Sequence, residues 1–89
     1  MITRILRLLK RGVPIEQRHI KCWGLCYFDE LIVIRVTLCE KSKVTTLIHE
    51  CIHWLEPDIP ESGVRHIERE VFNSLTDKQY GLLVFYLEE

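Results

Sequence analysis

Residues 2–11 place Ile2, Ile5, Leu6 and Leu9 on one face of a helix, with Arg4, Arg7 and Arg11 opposite and Gly12 behind as a stop signal. The pattern predicts an N-terminal amphipathic helix with a solvated basic face. From Pro14 to Glu40 the helical period disappears, and β-branched and aromatic residues take over. Asp29-Glu30 divides WGLCYF from LIVIRVTLC, which predicts a hairpin joined by an earlier strand near residues 14–21. LIVIRV is almost continuously apolar, as expected of a strand covered on both faces.

Helical period returns after Ser42, a suitable N-cap, with Val44, Leu47, Ile48, Cys51 and Leu55 on one stripe and Pro57 as the boundary. Asp58-Ile59-Pro60-Glu61 fits a capping box, with Asp58 as N-cap and Glu61 reaching back; the helix it opens runs to about Leu75. Thr76-Asp77-Lys78-Gln79 is a second capping box, opening a C-terminal helix that carries Leu82, Leu83, Tyr86 and Leu87. Together these elements predict an α+β fold: an N-terminal helix, a small antiparallel sheet of about three strands, and three further helices.

Eighty-nine residues suit one domain, residues 1–89, so any reactive centre must share the only core available. A hydrophobic fraction of 47% with 28% charged residues is that of a globular chain. The formal net charge of −1 carries no whole-molecule signal for nucleic acid, and none is expected as a partner. Cys22, Cys26, Cys39 and Cys51 form no CxxC pair, and no secretory signal precedes them. A reducing, cytoplasmic setting with four small buried thiols is the simplest expectation, although four cysteines can also pair. No apolar run approaches the ~18 residues that cross a bilayer.

The candidate chemistry lies in His49-Glu50-Cys51-Ile52-His53. Residues four apart on a helix stand one turn above each other, so His49 and His53 can offer their imidazoles to one ion, away from the apolar stripe. A zinc ion on two imidazoles and a third ligand retains a site for water and lowers its pKa, and Glu50 beside them is the candidate general base. The third ligand must come from the next helix. Glu68 falls among Val64, Ile67, Val71, Phe72 and Leu75, where an ionised carboxylate needs a strong partner such as a metal. Glu61 shares that face and is the alternative third ligand, with a capping task of its own. Glu70 and His66 fall on the solvent side and remain further candidates. Tyr27, Tyr80, Tyr86 and His66 could each serve an oxyanion, and none is singled out.

TLIHECIHWLEPD followed by VRHIEREVFNSL resembles the zincin metallopeptidases of gluzincin type, above all their smallest members, the minigluzincin-like soluble domains and short predicted peptidases of phages and prokaryotes. The resemblance covers roughly residues 22–75. It implies a short antiparallel sheet ahead of the motif helix, zinc on His49 and His53, general-base catalysis by Glu50, and an acid ligand on the following helix. Glu68-Arg69-Glu70-Val71 is similar to the E-x-x-A element of larger gluzincins, whereas the short phage-type proteins place an acid near the start of that helix, where Glu61 stands. Phe72 occupies the place of the acidic or amide residue expected four positions after Glu68. By the same resemblance LIVIRVTL is the candidate edge for a docked substrate strand.

The leading expectation is a zinc metalloendopeptidase acting on a peptide or protein, with room for a partner protein or a homo-oligomer. The alternatives are a non-catalytic domain in which zinc is structural or regulatory, and an interaction domain without metal. A frame this small predicts a shallow cleft.

Overall fold

The computed structural model describes residues 1–88. Its elements run α1 (Ile2–Lys10), β1 (Ile15–Arg18), β2 (Gly24–Tyr27), β3 (Leu31–Arg35), α2 (Glu40–Leu55), α3 (Glu61–Asn73) and α4 (Asp77–Glu88), the α+β order that the sequence predicts. Gly12 ends the first helix with φ 95°, a left-handed conformation that only glycine adopts freely. No described helix is long and apolar enough to cross a membrane. The four cysteines are free thiols, but only Cys51 is buried; Cys22 and Cys39 are exposed.

The sheet is mixed, not antiparallel as the hairpin pattern alone predicts. Its order is β1-β3-β2, with β2 antiparallel and β1 parallel to β3. The hairpin turns through Asp29 at φ 62°, a conformation that aspartate tolerates better than most residues. Strand β1 pairs Ile15 with Ile32 and Arg18 with Arg35. Residues 19–23 reverse the chain across a gap of two strand spacings, roughly 9–10 Å. The slot left between β1 and β2 is filled by β3, so β1 and β3 run the same way.

This topology also moves the sheet edge. β3 is central, so LIVIRVTL cannot be the docking edge; the free edges belong to β1 and β2. Burial agrees, since Ile32, Val33 and Ile34 all lose their contact with water.

Helix α2 is the hub. It packs against all three other helices and against β2 and β3. Val44, Leu47, Ile48, Cys51 and Ile52 are fully buried along it, and they meet Ile5, Leu8 and Leu9 of α1, Ile32 and Ile34 of β3, Val64 and Val71 of α3, and Leu83 of α4. A hydrogen bond of 3.0 Å from Gln17 Nε2 to the Leu87 carbonyl ties β1 to the last helix.

Helix starts follow local chemistry. Thr76 and Gln79 form the reciprocal capping box, with bonds of 2.9 and 3.1 Å. Helix α2 begins before Ser42: Cys39 is its N-cap, and the Lys43 amide donates to the Cys39 carbonyl at 2.9 Å. Helix α3 begins after Pro60 and not at Asp58. Ile59 precedes a proline and is kept out of helical geometry by the ring, so Pro60 becomes the N-cap and Glu61 the first helical residue.

Leu47 is fully buried in this core. Leu47→Ala is expected to lower unfolding free energy by about 2–5 kcal/mol in urea titration; a loss below about 1 kcal/mol would contradict the packing around α2.

Candidate metal centre

Two helices build the centre. Helix α2 carries His49, Glu50 and His53 across its face toward α3, and α3 brings Glu61 in its first turn and Glu68 two turns later. Starting α3 at Pro60 frees Glu61 from capping and aims its carboxylate at the histidines.

The contacts are specific to individual atoms. His49 Nε2 lies 2.7 Å from Glu61 Oε1 and 3.2 Å from His53 Nε2, while His53 Nε2 lies 2.9 Å from Glu61 Oε2. On the other side of the His49 ring, Nδ1 lies 2.7 Å from Glu68 Oε1. With Nδ1–H donating to Glu68, a neutral His49 presents a lone pair at Nε2. That lone pair faces a carboxylate oxygen and a second imidazole nitrogen. His53 Nε2 meets the same carboxylate and the same lone pair, so these short contacts are satisfied by a proton on an imidazole or by a metal ion among them.

The donor set fits zinc. Two imidazole nitrogens and one carboxylate form a known class of catalytic zinc ligands. The two Nε2 atoms stand 3.2 Å apart, near the ~3.3 Å between donors of a tetrahedral ion, whereas the Glu61 oxygens, at 2.7 and 2.9 Å, sit at hydrogen-bond distance and would draw back by about half an ångström to admit one. The donor atoms of His49, His53 and Glu61 all lie within 4.8 Å of one another, the one group among the described residues that could hold a metal ion in this way. Glu68, the leading third-ligand candidate from sequence, instead meets the far nitrogen of His49. His66 and Glu70 lie outside the cluster and pair with each other at 3.0 Å on the exposed side of α3.

Glu50 has a different environment. It is only 7% exposed, enclosed between α2 and the backbone of β2. Burial raises its pKa to about 7; His49 pulls the other way, and Glu61 and Glu68 add to the rise. Glu61, by contrast, is held below the usual carboxylate range: the little burial it has works against this, and the charges of His49 and His53 with their hydrogen bonds outweigh it. Cys26 adjoins Glu50, and burial, aided by the Glu50 charge, pushes its thiol to about 11. The thiol therefore stays protonated at neutral pH, consistent with a packing role.

A cleft of about 890 Å³ opens over these groups. One wall is the free edge of β2 and its flanks, Trp23 to Phe28, and the other is α3, including Arg65 and Arg69. The expected shallow groove is an open trough with one largely apolar side and one charged side, where Arg65 and Arg69 alternate with Glu61 and Glu68. Neither arginine nor the β2 wall stood out from sequence, because exposed residues follow no burial period. Gly24 did carry a signal: a glycine inside a strand marks a close backbone approach. No family model matches the chain, and no curated protein or solved structure gives a significant match.

A Cβ at position 24 would stand 2.6 Å from Thr46 Cγ2, 3.1 Å from the Val33 carbonyl oxygen and 3.0 Å from Glu50 Oε2. Gly24→Ala is therefore expected to cost about 1–3 kcal/mol of stability, measured by urea unfolding. An unchanged midpoint would show that β2 does not press on α2 at Glu50.

Proposed function

We propose that this chain is a zinc-dependent metallopeptidase whose ligands are His49, His53 and Glu61 and whose general base is Glu50. The observation that carries the proposal is the convergence of three lone-pair donors beside a buried carboxylate, within a cleft bordered by a free strand edge. A zinc ion held there supplies a Lewis acid for the substrate carbonyl and a water of lowered pKa. Every other task falls to the chain itself. Glu50, buried beside the ligands, would take the water's proton and pass it to the leaving amine. Glu68 fixes His49 in the Nδ1–H tautomer, which raises the basicity of Nε2 and orients the ring. The unpaired edge of β2 can hydrogen-bond an extended peptide backbone and hold it across the cleft.

One observation favours a second reading, a non-catalytic zinc domain. Helix α3 packs chiefly on α2, and the ligands come from both helices, so the ion would staple α3 in place. Glu50 separates the two. In a hydrolase Glu50→Gln retains zinc and lowers turnover of a quenched fluorogenic peptide by about 10²–10⁴-fold. A pure staple leaves the wild type without turnover, while chelation unfolds α3.

Metal affinity tests the ligand assignment independently of activity. Zinc is expected at one ion per chain, and Glu61→Gln should weaken it far more than Glu68→Gln, whose loss is set at about 10–100-fold by its role behind His49. Competition titration against a chromogenic chelator measures both. A larger loss for Glu68→Gln would reverse the assignment.

A further inference from the structure

Arg65 and Arg69 follow Glu61 along α3 at intervals of four, and both line the cleft. At ~1.5 Å of rise per residue they stand roughly 6 and 12 Å beyond Glu61 along the helix. An extended peptide advances ~3.3 Å per residue, so these positions correspond to about two and four residues from the bond at the metal. Among the described residues no carboxylate lies within ion-pairing distance of Arg69, and Arg65 reaches only Glu61 Oε1, at 3.7 Å, while remaining 71% exposed. Glu61 is already committed to the two histidines.

We propose, resting on the hydrolytic reading of this cleft, that the enzyme selects acidic peptides, Arg69 and Arg65 receiving a substrate carboxylate a few residues from the cleaved bond. The carboxylate is an Asp or Glu side chain or the peptide's own C-terminus; the chemistry of recognition is the same. The three carboxylates of the centre do not oppose this. Glu61 and Glu68 are held by imidazole and Glu50 is buried, whereas both arginines line the trough and are exposed. With a dication bound, the cationic groups outnumber the carboxylates by one charge. The opposite wall, with Trp23 56% and Phe28 60% exposed, favours an apolar residue beside the acidic one.

The test uses the full chain loaded with zinc. Quenched fluorogenic peptides carry one apolar residue and a Glu walked through each position, with matched Gln peptides, each made as C-terminal acid and as C-terminal amide. The expected result is a Glu-over-Gln preference in kcat/KM at one position, or an acid-over-amide preference, which identifies the source of the carboxylate. Arg69→Gln should reduce that preference about 3- to 10-fold, Arg69→Glu should invert it, and both should keep wild-type zinc content. Binding gives a readout apart from turnover: zinc-loaded Glu50→Gln should bind the preferred peptide more tightly than its neutral counterpart by fluorescence anisotropy, less so at high salt. Cleavage of all peptides at similar rates would overturn this inference and leave the hydrolytic reading standing. Cleavage of none would overturn both.

Discussion

Val44, Leu47, Ile48, Cys51 and Ile52 must leave water together, because they share one stripe of a single helix, and the rest of the chain is arranged to cover it. The sheet covers one side, α1 and α4 another, and α3 a third. Covering the stripe fixes the rotation of α2 about its axis. The opposite face is then fixed as well, and it carries His49 and His53. The relative placement of the two imidazoles thus follows from ordinary apolar packing.

The same constraint explains why Glu50 differs from its acidic neighbours. It lies between the ligand face and the covered side, where β2 passes so closely that only a glycine fits at position 24. There its carboxylate has lost most of its water, and the neutral form gains ground near pH 7. Glu61 sits in the first turn of α3, exposed and beside two imidazoles, and keeps its charge. The two carboxyl groups are pushed in opposite directions, Glu50 up and Glu61 down, because one is walled in by strand backbone and the other stands exposed beside two imidazoles.

The helices were legible in the sequence because each buries a stripe of fixed period; Thr76 and Gln79 form the capping box their spacing implies, whereas the starts expected at Ser42 and Asp58 moved to Cys39 and Pro60. The hairpin was legible from Asp29-Glu30 between two apolar runs. The direction of β1 was not, since a strand reads the same whichever way its neighbour runs, and only the five-residue return to β2 decides it. The motif histidines were legible from spacing alone. The roles of Glu61 and Glu68 were not, because helical phase places both on one face and cannot say which nitrogen of His49 each will meet. The decision rests with Pro60, which delays α3 past Asp58 and turns a presumed cap into a partner of both histidines.

Pro57 and Pro60 bracket the short link between α2 and α3, the two helices whose side chains meet at His49, His53 and Glu61. A flexible link would let α3 sample many orientations in the unfolded chain, and the centre would bear that lost freedom when it forms. Two fixed φ angles remove much of it beforehand. The link therefore works as a gauge: its length and stiffness set the distance between the histidines and Glu61. One residue more or less would move the entry of α3 by up to about 3.5 Å, carrying Glu61 out of contact with the histidines. This stretch should tolerate changes of side chain far better than changes of length.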